Sequence, residues 1–238
     1  MDDPDTPGAS DGLLQALCEA LSGDGLDYDY TYVAASPGKD GGKPSANIKQ
    51  ALLYQTNLFE TVTHSSLFDA SCTDGVNPCR IDPMHEAFID SRKPMVVQLR
   101  HMDGLMYTFI VVHFKSLRHG GLAWGSLQPP AVGSATLRRM QVSVVNAYAM
   151  KQRKVVVLGD FNDQPFHDAL SRMQLRDAHA NVPETEQYTY VFNGQSQKID
   201  YIFTKGIRTK AAGIVHLNSA VTEKEQHSDH DIVYVDVG

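Results

Sequence analysis

The stretch VVVLGDFND, from Val155 to Asp163, decides the fold. A run of β-branched residues followed by a polar turn is typical of a buried strand that ends at a surface. Side chains two residues apart on an extended segment point the same way, so Asp160 and Asn162 are expected to face a common site while Phe161 packs behind them. A plain polar turn is the alternative. A calcium loop is excluded, because it needs glycine at position 165 and glutamate at position 171, where the chain has proline and serine.

The rest of the chain shows more strand patterns than helix patterns. The clearest helix is predicted just upstream, where Leu137, Met140, Val144 and Tyr148 repeat on one face. MVVQL from Met95 and YTFIVVHF from Tyr107 are predicted to form a β-hairpin, because Asp103 and Gly104 favour a turn between them. Further predicted elements are a helix at 11–21 and strands at 27–34, 47–54, 188–192, 199–203, near 214, and at 232–237. This order favours one α+β domain of packed sheets over residues 1–238.

The composition fits such a domain and limits its partners. The chain has 238 residues, of which 42% are hydrophobic, and a formal charge of −7. A nucleic acid would therefore have to meet a local basic patch. No apolar run is long enough to span a bilayer, and the acidic N-terminal residues do not resemble a signal peptide. Membrane association is not expected, and the cellular location stays open.

The three cysteines have different expected roles. Cys72 and Cys79 lie in the turn-forming stretch SCTDGVNPCR, which suits a small disulfide loop or two free thiols equally well. Cys18 falls on the apolar side of the first helix and is expected to be a packed core thiol. No cysteine pair has zinc-finger spacing.

Two later segments place charged groups beside apolar strands. In QKIDYIF, Asp200 interrupts a strand pattern, and a buried carboxylate needs a histidine, an arginine or a metal beside it. A structural salt bridge would also meet that need. HSDHDIVYVDV places Asp229 and His230 directly before the last strand. His227 and His230 could bind zinc, although no third ligand has suitable spacing.

A fourth segment, VVHFKS, ends a strand at His113 and continues with Lys115 and Ser116. A lone histidine at a strand end is more often structural than catalytic. The four segments together nevertheless supply the Asp, Asn, His and Lys side chains that phosphodiester hydrolysis uses to activate water and neutralise phosphoryl oxygens. Carboxylates gathered at one edge repel each other unless a cation lies among them, which favours Mg²⁺ or Mn²⁺.

The motifs HFKS, GDFN, IDYIF and SDHD together resemble the endonuclease/exonuclease/phosphatase superfamily, the fold of pancreatic-type deoxyribonuclease. The run YTYVFNGQSQKIDYIF with the SDHD ending is similar to its bacterial extracellular nuclease-like branch. The resemblance covers the chain from about Tyr28 onward. It implies a four-layer α/β sandwich of two packed mixed β-sheets flanked by helices.

The resemblance also implies roles for the residues of these motifs. Asp160 would activate or orient the attacking water, and Asn162 would bind the scissile phosphate. His230 would stabilise charge on the phosphoryl oxygens, with Asp200 orienting a catalytic histidine. Asp229 would be a metal ligand for Mg²⁺, Mn²⁺ or Ca²⁺.

In the HFKS motif, His113 would match the other catalytic histidine, which donates a proton to the leaving oxygen. Arg92, in SRKPMVV, loosely resembles an arginine near the phosphate. Lys115 and Ser116 would contact the substrate. Lys115, Arg118, Arg138 and Arg139 could follow a nucleic-acid backbone, although Arg138 and Arg139 fit the solvated face of their helix better.

One part of the family pattern is missing. Family members begin with a strand bearing an Asn and a second strand ending in a metal-binding Glu, and neither is found here; Glu19 and Glu60 lie in the wrong contexts. The chain is therefore expected to lack the first strands, to bind Mg²⁺ weakly and to be poorly active. The leading function is a monomeric metal-dependent nuclease acting on DNA, with RNA as a further substrate. The alternatives are a phosphatase or phospholipase-type enzyme of the same fold and a catalytically degenerate binding domain.

Overall fold

The computed structural model describes residues 9–23, 25–33, 48–62, 77–89, 91–116, 134–222 and 224–238. These residues form two helices, α1 (Ala9–Leu21) and α2 (Ala135–Lys151). They also form the strands β1 (Tyr28–Tyr32), β2 (Ala51–Gln55), β3 (Phe59–Thr61), β4 (Cys79–Arg80), β5 (Met95–His101), β6 (Met106–His113), β7 (Val155–Asp160), β8 (Arg176–Asp177), β9 (Tyr190–Phe192), β10 (Gln195–Gln197), β11 (Asp200–Lys205), β12 (Thr209–Val215) and β13 (Ile232–Val237). The predicted α+β class is confirmed. Neither helix is long and apolar enough to cross a membrane.

The chain divides into two compact units, Met1–His113 and Phe114–Gly238. In the first unit, β5 and β6 form the predicted hairpin, with Gly104 at φ 86° in its turn. Strands β3 and β4 both pair with β5, and β1 pairs with β2, all antiparallel. Alternate residues of β5, namely Met95, Val97 and Leu99, are buried with Tyr54 of β2. The apolar runs that predicted the hairpin thus supply side chains of this core.

Helix α1 is confirmed, but it buries less than its pattern suggested. Cys18 is a free, buried thiol, as expected. Leu17 and Leu21 of the same helix stay exposed, at 45% and 46%. Cys79 is fully buried and disulfide-bonded. Cys72 and Arg118 lie outside the described residues.

In the second unit, β11 lies between β7 and β8, antiparallel to both. Strands β9 and β10 form a hairpin whose turn residues, Asn193 and Gly194, both have positive φ. Asn-Gly is the preferred pair for such a turn, so these two residues could have predicted the hairpin from the sequence. Strands β12 and β13 pair antiparallel.

The predicted inward face of α2 is wrong by about one residue. Tyr148 is buried as predicted, but Leu137, Met140 and Val144 are only half-buried, whereas Arg138 and Gln141 are completely buried. The physical reason is hydrogen bonding: both polar side chains turn inward to hold main-chain groups of the segment after β6. The expectation that Arg138 lies on a solvated face is therefore wrong. Arg139 does lie towards solvent, 40% exposed in its side chain and paired with Asp168.

Lys198, just before β11, and Asp177 of β8 form the centre of a charged cluster. Lys198 donates hydrogen bonds to Asp177 and to Gln187, both at 2.8 Å, and Asp177 accepts one from the main-chain N–H of His179 at 2.8 Å. Burial opposes ionisation of Asp177, but the hydrogen bonds from His179 and Lys198 outweigh it and lower the pKa of Asp177 to about 2. The carboxylate is thus held in its charged form.

The low pKa of Asp177 predicts a specific loss of stability in acid. A carboxyl whose folded pKa lies below its ordinary value stabilises the fold above that ordinary value, and the contribution disappears as the pH falls through about 2. We expect about 2 kcal/mol of unfolding free energy to depend on this group. Urea unfolding between pH 7 and pH 2 should therefore be less steep in pH for Asp177→Asn than for the wild type. Asp236→Asn, at an exposed position, should follow the wild-type curve.

Candidate functional site

Two aspartates face each other at one end of the pairing between β7 and β11. Asp160 is the last residue of β7 and Asp200 is the first residue of β11, and the antiparallel register places them directly opposite each other. Behind them, Phe161 is completely buried and packs edge-on against the rings of Phe114, Tyr201 and Phe203 at 5.1–5.5 Å. The apolar cluster therefore fixes the strand end that carries the acidic pair.

Asn162 reaches this site by a different route from the one predicted. The chain does not continue as a strand after Asp160; Asn162 adopts the left-handed conformation, with φ 49°. This turn lets its main-chain N–H and its side-chain amide both donate to the Asp160 carboxylate, each at 2.7 Å. The amide also donates to the carbonyl of Phe114 at 3.1 Å. Asp160 and Asn162 are thus together, but through a tight turn and not through strand alternation.

His230 completes the described cluster. Its Nδ1 lies 2.8 Å from Oδ2 of Asp200, and a bridge to Tyr190 holds its main chain, with the two rings 5.0 Å apart. The partner that burial of Asp200 required is therefore this histidine. Burial of His230 disfavours its charge, but the Asp200 carboxylate outweighs burial and, with Asp160 and Asp229, raises the pKa of His230 to about 9. At neutral pH the ring is a cation among carboxylates.

The fit to a metal ion is incomplete. Among the described residues, no group of three or more His, Cys, Asp or Glu side chains is arranged to hold a metal. Asp160 is bonded to Asn162 and Asp200 is bonded to His230, while Asp229 is exposed. Neither the zinc pair His227 and His230 nor the magnesium ligand Asp229 has a full ligand set in this part of the chain. Asp229 as a metal ligand stays a prediction, and no chemical step is derived through the ion.

Asn218 is a buried residue that the sequence analysis missed. Its side-chain amide donates to the carbonyl of His230 at 2.6 Å and accepts from the N–H of His227 at 3.3 Å. Its own N–H donates to the buried carboxylate of Asp231 at 3.0 Å, which also receives Nδ1 of His216. Asn218 and Asp231 therefore clasp both ends of the segment that carries Asp229 and His230. An isolated asparagine in a loop pattern gives no signal of this role.

Replacing Asn218 with alanine should loosen this segment without unfolding the unit. The carbonyl of His230 and the N–H of His227 each lose a partner, and a net hydrogen bond contributes about 1 kcal/mol. We expect amide hydrogen exchange to accelerate by about tenfold or more at residues 227–231 and to stay unchanged in β7. Asn181→Ala, at an exposed asparagine, is the matched control. Equal exchange rates in the two variants would refute a clasp.

The predicted substrate contacts Lys115 and Ser116 follow β6 on a segment held from α2. Gln141 accepts from the N–H of Lys115 at 3.0 Å, and Nη1 of Arg138 lies 3.4 Å and 3.3 Å from the carbonyls of Lys115 and Ser116. The N–H of Phe114 donates to the carbonyl of Asp160 at 2.9 Å. The segment is therefore fixed next to the carboxylate end of β7, and the side-chain roles of Lys115 and Ser116 stay predictions.

The two remaining predicted residues belong to the first unit. His113 is the last residue of β6, and its carbonyl accepts a hydrogen bond from Nε of Arg92 at 3.1 Å. Arg92 is 9% exposed. The two residues are thus in contact with each other, and their roles towards a substrate stay predictions.

Comparisons with known proteins identify the family of the chain. The family model described as "Endonuclease/Exonuclease/phosphatase family" matches residues 10–230. A family protein from Bacteroides thetaiotaomicron has 18% identity and a TM-score of 0.60, covering 95% of this chain and 79% of that one. The catalytic domain of human nocturnin with bound sulfate has 15% identity and a TM-score of 0.60, covering 97% and 76%. ANGEL2, a 2′,3′-cyclic phosphatase, has 14% identity and a TM-score of 0.58, covering 97% and 77%. No curated protein matches. The chain belongs to the endonuclease/exonuclease/phosphatase family.

Proposed function

We propose that the chain hydrolyses phosphodiester bonds of nucleic acid, with DNA as the preferred substrate. Members of its family are hydrolases acting on phosphodiester bonds. The observation that carries the proposal is the meeting of two pairs, Asp160 with Asn162 and Asp200 with His230, at facing strand ends. Hydrolytic attack at phosphorus needs a carboxylate that activates water and two hydrogen-bond donors, one neutral and one cationic.

The proposed division of labour follows from what each group can do. Asp160 accepts the proton of the attacking water. Asn162 binds the scissile phosphate by exchanging one of its two amide hydrogen bonds, to Asp160 or to the carbonyl of Phe114, for one to a phosphoryl oxygen. His230, whose Nδ1 is engaged by Asp200, offers its Nε2–H to the charge that develops on the phosphoryl oxygens. His113 gives a proton to the leaving oxygen, while Arg92, Lys115 and Ser116 contact the substrate backbone.

Family enzymes are typically dependent on a divalent metal. We propose Mg²⁺ or Mn²⁺, with Ca²⁺ as a further candidate, and Asp229 as the ligand that this chain contributes. When bound, such an ion neutralises phosphoryl charge and lowers the pKa of bound water. Titration of the chain with Mg²⁺ by calorimetry tests this ligand, because Asp229→Asn should then weaken the binding.

The hydrolase proposal is tested with the whole chain on three substrates: plasmid DNA, single-stranded RNA and a small phosphodiester, each with Mg²⁺ or Mn²⁺. We expect DNA cleavage, and we expect Asp160→Asn to slow it by about 10²-fold or more, as loss of a general base does. Asp236→Asn, an exposed aspartate on β13, should cleave at the wild-type rate. Slow turnover is sufficient, since rates are compared between variants.

Other outcomes separate the competing functions. Cleavage of the small phosphodiester with intact DNA would favour a phosphatase-type enzyme. Binding of a DNA oligonucleotide without any turnover would favour a non-catalytic binding domain. Wild-type cleavage by Asp160→Asn would show that the site has been assigned to the wrong residues.

A further inference from the structure

A second buried aspartate–histidine pair lies beside the pair of Asp200 and His230. Nδ1 of His216 lies 2.9 Å from Oδ2 of Asp231, whose side chain is completely buried. The Asp200–His230 pair has the same form, with Nδ1 of the histidine 2.8 Å from an aspartate Oδ2. Asp231 directly follows His230 in the chain, so one peptide bond joins a member of each pair. A shift of Asp231 would therefore move the main chain of His230.

The carboxylate of Asp231 is held on both oxygens. Oδ1 accepts from the main-chain N–H groups of Asn218 at 3.0 Å and Ser219 at 2.9 Å. Oδ2 faces His216 and accepts from the hydroxyl of Ser219. These contacts offset the cost of burying the charge, and loss of any one of them leaves part of that cost uncompensated. Asp231 is thus a fixed point directly after His230.

Two adjacent residues join the pairs. The ring of Tyr188 stacks flat on the ring of His216, with the centroids 4.0 Å apart and 12° between the planes. The carbonyl of Thr189 accepts from the N–H of Asp231 at 2.8 Å, while its hydroxyl accepts from the N–H of Asp200 at 3.1 Å. Thr189 is completely buried. One residue therefore holds a member of each pair.

The ring of His216 is held mainly at its Nδ1 side and on its face. Its Nε2 lies 3.5 Å from Glu186, whose side chain is 58% exposed, and exposed ion pairs contribute little. The ring itself is only 17% exposed, so the contact with Asp231 and the stack on Tyr188 determine its position. Removing the Nδ1 hydrogen bond while keeping the ring therefore isolates its effect on Asp231.

We propose that His216 is a positioning residue of the reaction, which acts through Asp231 to fix the ring of His230. The inference rests on the proposed function and deepens it, because His216 acts on the phosphoryl-binding histidine and not on the substrate. Thr189 supplies the second constraint, since it holds both Asp231 and Asp200. Two anchors on neighbouring main chain leave His230 little freedom, and displacement of a reacting group by about 1 Å can cost about 10²-fold in rate.

The first test is NMR spectroscopy of the full chain in metal-free buffer, with the Nδ1 shift of His230 read through its carbon-bound ring protons. His216→Phe keeps a ring to stack on Tyr188 and removes the hydrogen bond to Asp231. We expect the His230 shift to move towards its value in Asp200→Asn, where the carboxylate is absent. His216→Asn can place an amide N–H where Nδ1 stands and should restore the wild-type shift.

A matched control changes another buried histidine of the same unit. The side chain of His179 is 0% exposed, and its Nε2 lies 3.2 Å from the carbonyl of Gly213. His179→Phe should lower stability while leaving the His230 shift at the wild-type value. A wild-type shift in His216→Phe, or an equal change in His179→Phe, overturns the inference.

Tyr188→Leu decides the test if His216→Phe does not fold. It removes the stack on His216 without stripping a donor from the buried carboxylate of Asp231. The shift of His230 should then move in the same direction by a smaller amount, and no movement overturns the inference.

The second test separates kcat from KM on a fluorogenic DNA oligonucleotide with Mg²⁺ or Mn²⁺. His230 is proposed to meet charge that develops in the transition state, so misplacing it should lower kcat. We expect His216→Phe to lower kcat by about tenfold or more with KM unchanged. His216→Asn should recover most of kcat, and His179→Phe should retain it. A raised KM with an unchanged kcat in His216→Phe contradicts the positioning of His230.

The two proposals fail in different ways. A moved His230 shift in His216→Phe, together with no cleavage by the wild type, keeps the link between the two histidines and removes the hydrolase. Cleavage by the wild type, together with an unmoved shift in His216→Phe, keeps the hydrolase and removes the role of His216.

Discussion

Replacing Asp200 with asparagine should bring the pKa of His230 down from about 9 towards its ordinary value of 6.5. Burial by itself lowers the pKa of this ring, and the carboxylate 2.8 Å away is what reverses that effect. Without the carboxylate, the remaining support from Asp160 and Asp229 competes with burial alone. The ring should then be largely neutral at pH 8, where the wild-type ring is charged.

The measurement is a titration of the His230 ring protons by NMR in metal-free buffer between pH 5 and pH 10. Because the folded pKa is raised, the pair stabilises the fold fully below pH 6.5 and this contribution disappears as the pH rises through about 9. Wild-type stability should therefore fall across this window more than that of Asp200→Asn. Asp168→Asn, which alters an exposed aspartate, should leave the titration of His230 unchanged. An unshifted titration in Asp200→Asn would contradict the assigned contact.

The largest loss of stability is expected from Asp163→Ala. Asp163 and Arg138 have side chains 2% and 0% exposed, with Nε of Arg138 3.6 Å from the carboxylate. Removing the carboxylate leaves a buried guanidinium without this counter-charge, which costs about 3–5 kcal/mol. Asp163 also contacts His167 and accepts from the N–H of Gln164, so the turn after Asn162 loses support as well.

A neighbouring ion pair, between Arg139 of α2 and Asp168, provides the control. Arg139 and Asp168 are 40% and 54% exposed in their side chains, and exposed pairs contribute about 1 kcal/mol or less. Chemical unfolding of Asp163→Ala and Asp168→Ala should therefore compare a buried with an exposed ion pair, each made by an arginine of α2. The double variant Arg138→Met/Asp163→Leu should recover part of the loss, because it removes both charges. A loss below 1 kcal/mol in Asp163→Ala would contradict the prediction.

The sequence predicts the strands better than it predicts which side chains of the site contact each other. The β5–β6 hairpin, β7 and β11 follow from apolar runs bounded by turn residues, because strand formation there depends on local pattern and burial. Asp200 could be recognised as needing a partner from its apolar neighbours alone. That the partner is His230 depends on pairing between segments 30 residues apart, which no local pattern encodes.

The failures on α2 and at Asn218 have one cause, which is hydrogen bonding by buried polar side chains. Arg138 and Gln141 read as solvated positions because they are polar, yet main-chain groups after β6 draw them inward. Asn218 gives no periodic signal, since its contacts are made to one loop and not along an element. Predicting such residues requires knowing which main-chain groups lack a partner, and that is a property of the folded chain.

The turn at Asn162 restricts which residues natural variation can place there. Its positive φ admits glycine most readily, and asparagine or aspartate next, whereas β-branched residues are strongly disfavoured. Glycine would preserve the path of the chain but remove the amide that meets Asp160, and aspartate would place a second negative charge against it. Backbone geometry and chemistry thus select the same residue independently. Loss of asparagine at this one position would therefore indicate that a related protein has kept the fold and lost the reaction.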